Sequence, residues 1–526
     1  MDSGGEPSTD RSDGLRIGRC VTALVTAVYL WSAGGSLTTT DAVVAFEVTR
    51  QIVDHQTVAL PGDMLGNEAH RGRDGRYYSP FGIAQSVFNL PFFLAARGLE
   101  RAAGVTIGRS DSLEKAAVAL GNAFAMAACL SMLYLFAWRA SRSIHAAAAV
   151  TLIAAFATPL WPYSKFGFNA PLGALFLTGA AFAAWAATRG VPRAHPMWIG
   201  CWLGLALLTR HELPVVIVPI GLWLYLEATE LSTFGRSVVG VALGLLPAIV
   251  GWLSYNAWRF GNPFDAGYLR DATPQFGSSL AEGLYGLLFS STASLVAYCP
   301  LVVASALAFA AIWRADRRLV VLLGGCVLVL LLFYAQLGNW MGGRSYGPRY
   351  LVPALPLMIL PLAFVCPEPR SGRRAALVLL LFLSTIVQVP AVLVDYAKVS
   401  VSHARAEGPP TLHDRLYNWR LSPLALNADA AVDAVPRNIA WLTGRITRPS
   451  PVRGSEPNRA PGEFSQQFAD SLDLWWMYLF RMGVISAAAA WTLIALMLIA
   501  VAALAFRLAQ LLRACPRPAI PSRATR

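Results

Sequence analysis

Charged side chains are scarce in this chain. Asp, Glu, Lys and Arg make up 14% of its 526 residues, against 56% hydrophobic, and the mean hydropathy is +0.49. A soluble domain of this length has no interior that could hide so much apolar surface. Composition therefore excludes the soluble classes and predicts a polytopic membrane protein. Acidic residues are the scarcer sign, 30 against 43 basic, which leaves a net charge of +13. In a soluble protein that excess would suggest nucleic acid. Here it falls in short connections and the tail, the pattern of membrane orientation, so no nucleic-acid partner is expected. The seven cysteines include no C-x-x-C pair, which removes a zinc knuckle and a disulfide framework. A Walker loop, a GxSxG elbow and an HExxH helix are absent too, and with them the enzyme classes they mark. No internal repeat supports a repeat-built transporter.

Apolar runs, by contrast, are plentiful. They lie near 20–38, 114–138, 144–163, 170–187, 197–210, 213–230, 237–256, 294–314, 319–337, 350–366, 374–394 and 478–506. One more, SPFGIAQSVFNLPFFLAARG at 79–98, carries Pro80, Gln85, Asn89 and Pro91. Arginine clusters decide its placement. They occur at Arg139/Arg142, Arg189/Arg193, Arg236, Arg314/Arg317/Arg318, Arg370/Arg373/Arg374 and along the tail from Arg507 to Arg526, at every second connection. The positive-inside rule puts all of them in the cytoplasm with the N-terminus, provided 79–98 does not cross. That run is then an amphipathic helix at the outer interface. The predicted fold is an all-α bundle of about twelve transmembrane helices with outer juxtamembrane helices and both termini inside.

The organisation follows. Residues 1–19 form a cytoplasmic tail ahead of a retained signal anchor. Residues 20–396 form the transmembrane domain, with a first outer loop at 39–113. Residues 397–477, polar and Pro-rich, form an outer loop or small subdomain that ends in the interfacial aromatics LWWMY. Residues 478–506 form the last helix and 507–526 a basic cytoplasmic tail.

On the outer side, short connections should be poor in cations, yet Lys165, Arg210, Arg344 and Arg349 lie there. A set of cations at the membrane edge suits a lipid phosphate, since Arg presents a fork of donors to phosphate oxygens. Pairing with headgroups, or with a nearby carboxylate such as Glu212, is the alternative for each. Arg210, His211 and Glu212 interrupt an apolar stretch, and ionisable groups at membrane depth are functional candidates. His211 alone is more often a hydrogen-bonded structural histidine than a metal ligand. Asp41 is held at the membrane surface by the helix before it. It suits either the N-cap of a short interfacial helix or a general base at the height where a lipid-borne bond arrives.

These stretches together resemble the GT-C superfamily of membrane-embedded glycosyltransferases, which includes protein O-mannosyltransferases and lipid A aminoarabinose transferases. TTTDAVVAFEVTRQIVDHQ resembles the opening of that family's first outer loop, and GRYYSPFGIAQSVFNLPFFLAARGL its later juxtamembrane helix. YSKFGFNAPLGALFLTGAAFAAW, GLALLTRHELPVVIVP, WRFGNPFDAGY and GGRSYGPRYLVPALPL resemble later stretches. The resemblance covers most of 20–396. It implies an inverting transferase of the bacterial plasma membrane, its active site facing outside, moving a sugar from a polyprenyl-phosphate donor to a cell-envelope acceptor. Asp41 would be the catalytic base, with Arg210, Lys165, Arg344 and Arg349 around the donor phosphate. Tyr77, Tyr78, Trp340 and Tyr346, with His211 and Asn169, would line the sugar or lipid groove, unless the aromatics are belt residues. Two departures bear on a divalent metal ion, which some members use. Ala42 follows Asp41 where many members have Glu, and Asn169 stands where some have a second Asp. A transporter or flippase of a lipid-linked sugar, and a non-catalytic polyprenyl-lipid-binding relative, remain open.

Overall fold

The structure, a computed structural model, describes residues 8–37, 39–62, 69–103, 112–165, 168–268, 276–365, 372–447 and 472–515. Outside these lie the first seven residues of the tail, Asp63 and Glu68 of the first loop, Arg370, all of 448–471, and the last arginines Arg517, Arg523 and Arg526. The described chain is helical apart from one short hairpin.

Helix α1, Ser8–Trp31, is followed by α2, Thr40–His55. The hairpin then pairs β1, His70–Arg71, antiparallel with β2, Tyr77–Tyr78, in the register His70 to Tyr78 and Arg71 to Tyr77. Next comes α3, Ala84–Ala103. The bundle continues with α4, Ser112–Ser141, α5, Ile144–Phe156, a single turn α6, Leu160–Tyr163, α7, Ala170–Thr188, α8, Met197–Thr209, α9, Ile217–Glu227, and α10, Leu231–Phe260. After it run α11, Leu280–Phe289, α12, Leu295–Tyr298, α13, Val302–Ala315, α14, Arg317–Ala335, α15, Leu355–Ile359, and α16, Gly372–Leu393. The expected outer segment holds α17, Tyr396–Glu407, α18, Leu412–Tyr417, and α19, Pro423–Leu442. LWWMY belongs to its own short helix α20, Trp475–Arg481, and the last long helix α21 runs Ala487–Ala514.

Among the described residues, six helices are long and apolar enough to cross a membrane: those beginning at Leu113, Ala170, Leu231, Arg317, Arg374 and Ala487. Six shorter apolar helices account for most of the remaining runs. Proline explains much of the shortening. Pro300 separates α12 from α13, Pro214 confines Leu213–Val216 to a 3-10 turn, and Pro353, Pro356 and Pro361 break Arg349–Phe364 into α and 3-10 pieces. A proline removes a backbone donor and clashes one turn back.

Helix α7 is central, with 83% of its apolar window buried, whereas α21 is peripheral with 6%. Peripheral helices turn apolar side chains outward, as Leu243, Leu246 and Val250 do on α10 and Phe382 and Ile386 on α16. In water such faces would aggregate; they fit a lipid surround. Small residues bring α8 and α10 together: a Cβ at Gly200 would lie 2.0 Å from the Val241 carbonyl oxygen, and one at Gly244 2.0 Å from that of Met197.

Helix α3 is not among the six. It buries Gln85, Ser86 and Asn89 against the bundle and exposes Val87, Leu94 and Leu99. That inverted amphipathicity suits an interfacial helix whose outer face meets lipid. Arg97 ties it in place. The guanidinium pairs with Asp54 on α2 and lies 3.5 Å from Glu114 on α4. The hydrogen bond from Arg97 holds the Asp54 carboxyl below its usual value. A depressed carboxylate stabilises the fold above its unfolded-state value, and that contribution is lost as pH falls through the folded one. Asp54→Asn should therefore lower stability by about 1 kcal/mol near neutrality. In detergent melts the deficit should close as pH falls toward about 3; a deficit undiminished there would mean that this ion pair does not tie α2 to α3.

Candidate active site

The first surprise is the cap of α2. Thr39, not Asp41, is the N-cap: its backbone is extended and its side-chain oxygen accepts the Ala42 N–H at 3.4 Å. The helix begins two residues earlier than the capping alternative requires. Asp41 sits in the first turn, its carboxylate released from capping. Ala42, Val44, Ala45, Phe46 and Val48 bury the apolar face that fixes its position.

The Asp41 carboxylate meets Arg349, which donates to it through Nη2. Both side chains are less than a fifth exposed. Arg349 opens the 3-10 turn Arg349–Ala354, and the loop before it wraps its side chain. Nη1 donates to the Gly342 carbonyl at 2.9 Å, and the guanidinium carbon lies 4.1 Å from the centre of the Phe168 ring. Gly342 has φ +74°, and a Cβ there would lie 3.1 Å from Arg349 Cδ. Glycine is what lets the loop close around the arginine. One donor, Nε, is buried without a hydrogen-bond partner.

A second guanidinium stands beside the first. Arg210 follows α8 and grips Glu212 Oε1 through Nε at 2.9 Å and Nη2 at 2.8 Å. The same oxygen accepts the Tyr334 hydroxyl at 3.0 Å. Tyr334 and Tyr350 stack with centres 4.8 Å apart and planes 11° apart. Arg210 lies 5.3 Å and Arg349 5.8 Å from the Tyr350 ring centre, so one ring backs both cations. Arg210 Nη1 is also buried without a partner. Two buried cations thus carry donors left over after their carboxylates are served. Buried donors of this kind cost free energy until an acceptor arrives.

A narrow cleft opens on the other side of Asp41. Ser79, Gln85, Ser86, Asn169 and Tyr255 line it with neutral polar groups, and its free volume of about 10 Å³ holds about one water. Gln85 Oε1 and Asn169 Oδ1 are buried acceptors without donors. Arg259 braces the wall, donating to the Ser79 carbonyl and, at 2.8 Å, to Asn256, with its guanidinium 3.9 Å from the Tyr255 ring centre.

The other sequence candidates go elsewhere. Lys165 is fully buried and pairs with Asp473 at 3.0 Å, and its ammonium also donates to the Val392 carbonyl. Burial pulls the ammonium below its usual value, while Asp473 opposes that. Tyr478 donates to Asp473 at 2.5 Å, and Lys398 reaches Tyr478 at 3.1 Å and Asp395 at 3.3 Å. Lys165 is therefore committed to the network of Asp473, Tyr478, Lys398 and Asp395 rather than to the Asp41 cluster. Arg344 is exposed on its loop. His211 lies against Trp252 and Tyr268, its Nδ1 buried without a partner. Tyr78 donates to Asp74 at 2.7 Å, and burial together with that carboxylate pushes its hydroxyl up to about 12. Tyr77 pairs in the hairpin. Trp340 donates to Glu282 at 3.1 Å, and Tyr346 donates to the Val387 carbonyl. Tyr334, Tyr350, Arg259 and Asp473 carried no sequence signal of their own. Tyr350 adjoins Arg349, Asp473 adjoins the LWWMY patch, and Arg259 lies in WRFGNPF, so their neighbours could have pointed to them.

The donor set beside Asp41 does not suit a divalent ion. Among the described residues no three His, Cys, Asp or Glu converge. Asp41 is the one carboxylate lining the cleft, and it faces a guanidinium.

No family model and no curated protein matches the chain. Among solved structures it is similar to ArnT from Cupriavidus metallidurans bound to undecaprenyl phosphate, at 16% identity over 83% of this chain and 72% of that one, with a TM-score of 0.45. It is also similar to the Archaeoglobus fulgidus oligosaccharyltransferase in the apo form, at 12% identity over 92% of this chain and 65% of that one, with a TM-score of 0.40.

The Lys165 network makes a sharp prediction. Asp473→Ala strands a buried ammonium and should cost roughly 3–5 kcal/mol of stability. Pairing Asp473→Leu with Lys165→Met removes both charges and should recover most of it in detergent melts. A double variant no more stable than the single would show that the pair does not hold Asp473 and the short helix after it against the bundle.

Proposed function

We propose that this chain is an inverting glycosyltransferase that moves a sugar from a polyprenyl-phosphate donor to a cell-envelope acceptor, whether glycan, lipid or protein. The reaction takes place on the outer face of a bacterial inner membrane. One observation carries the reading: Asp41 pairs with Arg349 beside Arg210, and each guanidinium keeps one buried nitrogen without a partner. A donor phosphate supplies the missing acceptors. It draws Arg349 away from Asp41, and the carboxylate is freed as the donor seats.

In the transfer step Asp41 accepts the proton of the acceptor hydroxyl. That oxygen forms its bond to the anomeric carbon as the bond from that carbon to the phosphate oxygen breaks. Attack comes from the face opposite the phosphate, so the configuration inverts. Arg349 and Arg210 stabilise the charge that develops on the leaving phosphate. Tyr334 and Glu212 hold Arg210 in position, and Tyr350 backs both cations. The orphan acceptors Gln85 and Asn169 offer hydrogen bonds to sugar hydroxyls once the cleft widens.

Charge supports the proposed sidedness. Arg139, Arg142, Arg189 and Arg318 gather at the bundle end away from Asp41, where Arg189 bridges Glu227 and Asp316. The positive-inside rule puts that end in the cytoplasm. About twelve passes result when the shorter apolar helices are counted as crossings. A flippase would need acceptors and cations along a path through the bundle, whereas the partnered cations near Asp41 sit at helix ends.

The test is sugar transfer by purified protein in liposomes, supplied with a panel of polyprenyl-phosphate sugars and envelope acceptors. Asp41→Asn keeps the side-chain size and should lower turnover by roughly 10²–10⁴-fold. Arg349→Gln and Arg210→Gln should each lower it by roughly 10²–10³-fold and weaken polyprenyl-phosphate binding. Turnover by folded Asp41→Asn equal to wild type would remove Asp41 as the base. Donor movement across the bilayer without transfer would favour the flippase.

A further inference from the structure

The bundle end opposite Asp41 contains a cavity that the proposed transfer does not use. Its free volume is about 730 Å³, within the range that accommodates small ligands. It opens between the ends of α4, α7, α13 and α14. Three arginines edge it, Arg139, Arg142 and Arg189, and Trp185, Ile312 and Leu319 form an apolar wall.

The charges there are not balanced. Glu227 and Asp316 are both engaged by Arg189, at 3.3 and 3.0 Å, and Glu227 is also approached by Arg318. Arg139 lies against Trp138, with its guanidinium carbon 5.1 Å from the ring centre. Neither Arg139 nor Arg142 has a carboxylate partner among the described residues. Arg142 also adopts φ +54°, in the left-handed region where glycine is the unstrained choice. The α4–α5 turn thus carries a cation at a position where glycine would cost less.

We infer that this cavity binds the headgroup of an anionic phospholipid. The phosphate sits between Arg139 and Arg142, and the first part of an acyl chain lies along Trp185, Ile312 and Leu319. A free anion would match the cations but leave the apolar wall wet. A neutral lipid would match the wall but leave the cations unneutralised. Basic pockets between membrane helices recognise anionic headgroups by this combination.

The experiment uses the full chain in detergent, with bound lipid counted by native mass spectrometry and thermal stability measured in parallel. The probes are phosphatidylglycerol, phosphatidylcholine and inorganic phosphate. Wild type should retain phosphatidylglycerol over phosphatidylcholine and gain stability from it, and inorganic phosphate should not displace it. The double variant Arg139→Gln, Arg142→Gln should bind it on the order of tenfold more weakly. Arg236→Gln, at the same end but outside the cavity, should bind as wild type does. Equal melting of all variants in phosphatidylcholine would separate lost binding from lost folding. Equal retention of the two lipids, displacement by inorganic phosphate, or equal weakening by Arg236→Gln would each overturn the inference.

Discussion

A charge taken out of water must find a partner, and the end of this bundle that holds Asp41 is arranged around that requirement. Four buried or half-buried cations converge there, and each meets a carboxylate: Arg349 with Asp41, Arg210 with Glu212, Lys165 with Asp473, Lys398 with Asp395. The pairs fall into two kinds. The lysine pairs are tied together by a tyrosine hydroxyl and backbone groups and have the character of a fastening. The arginine pairs remain open, each with a buried nitrogen to spare. Arginine has five donors in a rigid fork and lysine three on a rotating head, so an arginine can serve one carboxylate and still face a second anion. The division between holding and binding thus follows side-chain chemistry.

The aromatic residues serve both kinds. Tyr350 lies under two guanidiniums at once, and Phe168 lies against one of them. Such rings add to the carboxylates in offsetting the repulsion of two like charges in a low dielectric. Glu212 does part of the same work electrostatically, and Tyr334 orients it.

Hydropathy made the helical bundle legible in the sequence, and the polar residues inside 79–98 marked it apart from the long crossing helices, among which the structure does not count it. Proline content was visible too, but its effect was not: it left fewer full-length crossings than the apolar runs promised, because a run stays apolar whether or not its backbone ladder is intact. Asp41 was read as a cap or a base, and a shift of two residues in the helix start removed the first option. The partners were the harder part. Arg349 lies far from Asp41 in the chain, and nothing local distinguishes it from Arg344, which is exposed. Lys165 looked equivalent to Arg210 by position, yet a carboxylate from late in the chain, Asp473, takes it. Pairings at long sequence separation have no periodicity, so a single sequence does not display them.

The fastening between Lys165 and Asp473 also has a meaning in time. The chain is made from its N-terminus, and the connection bearing Lys165 enters the membrane long before Asp473 exists. Trp475 and Trp476 then hook onto the carbonyls of Leu30 and Trp31, at the far end of the first helix. Until those residues emerge, the earliest helices wait with an unmatched ammonium and an uncovered edge. The contacts that match this ammonium and cover this edge are therefore among the latest the chain can form.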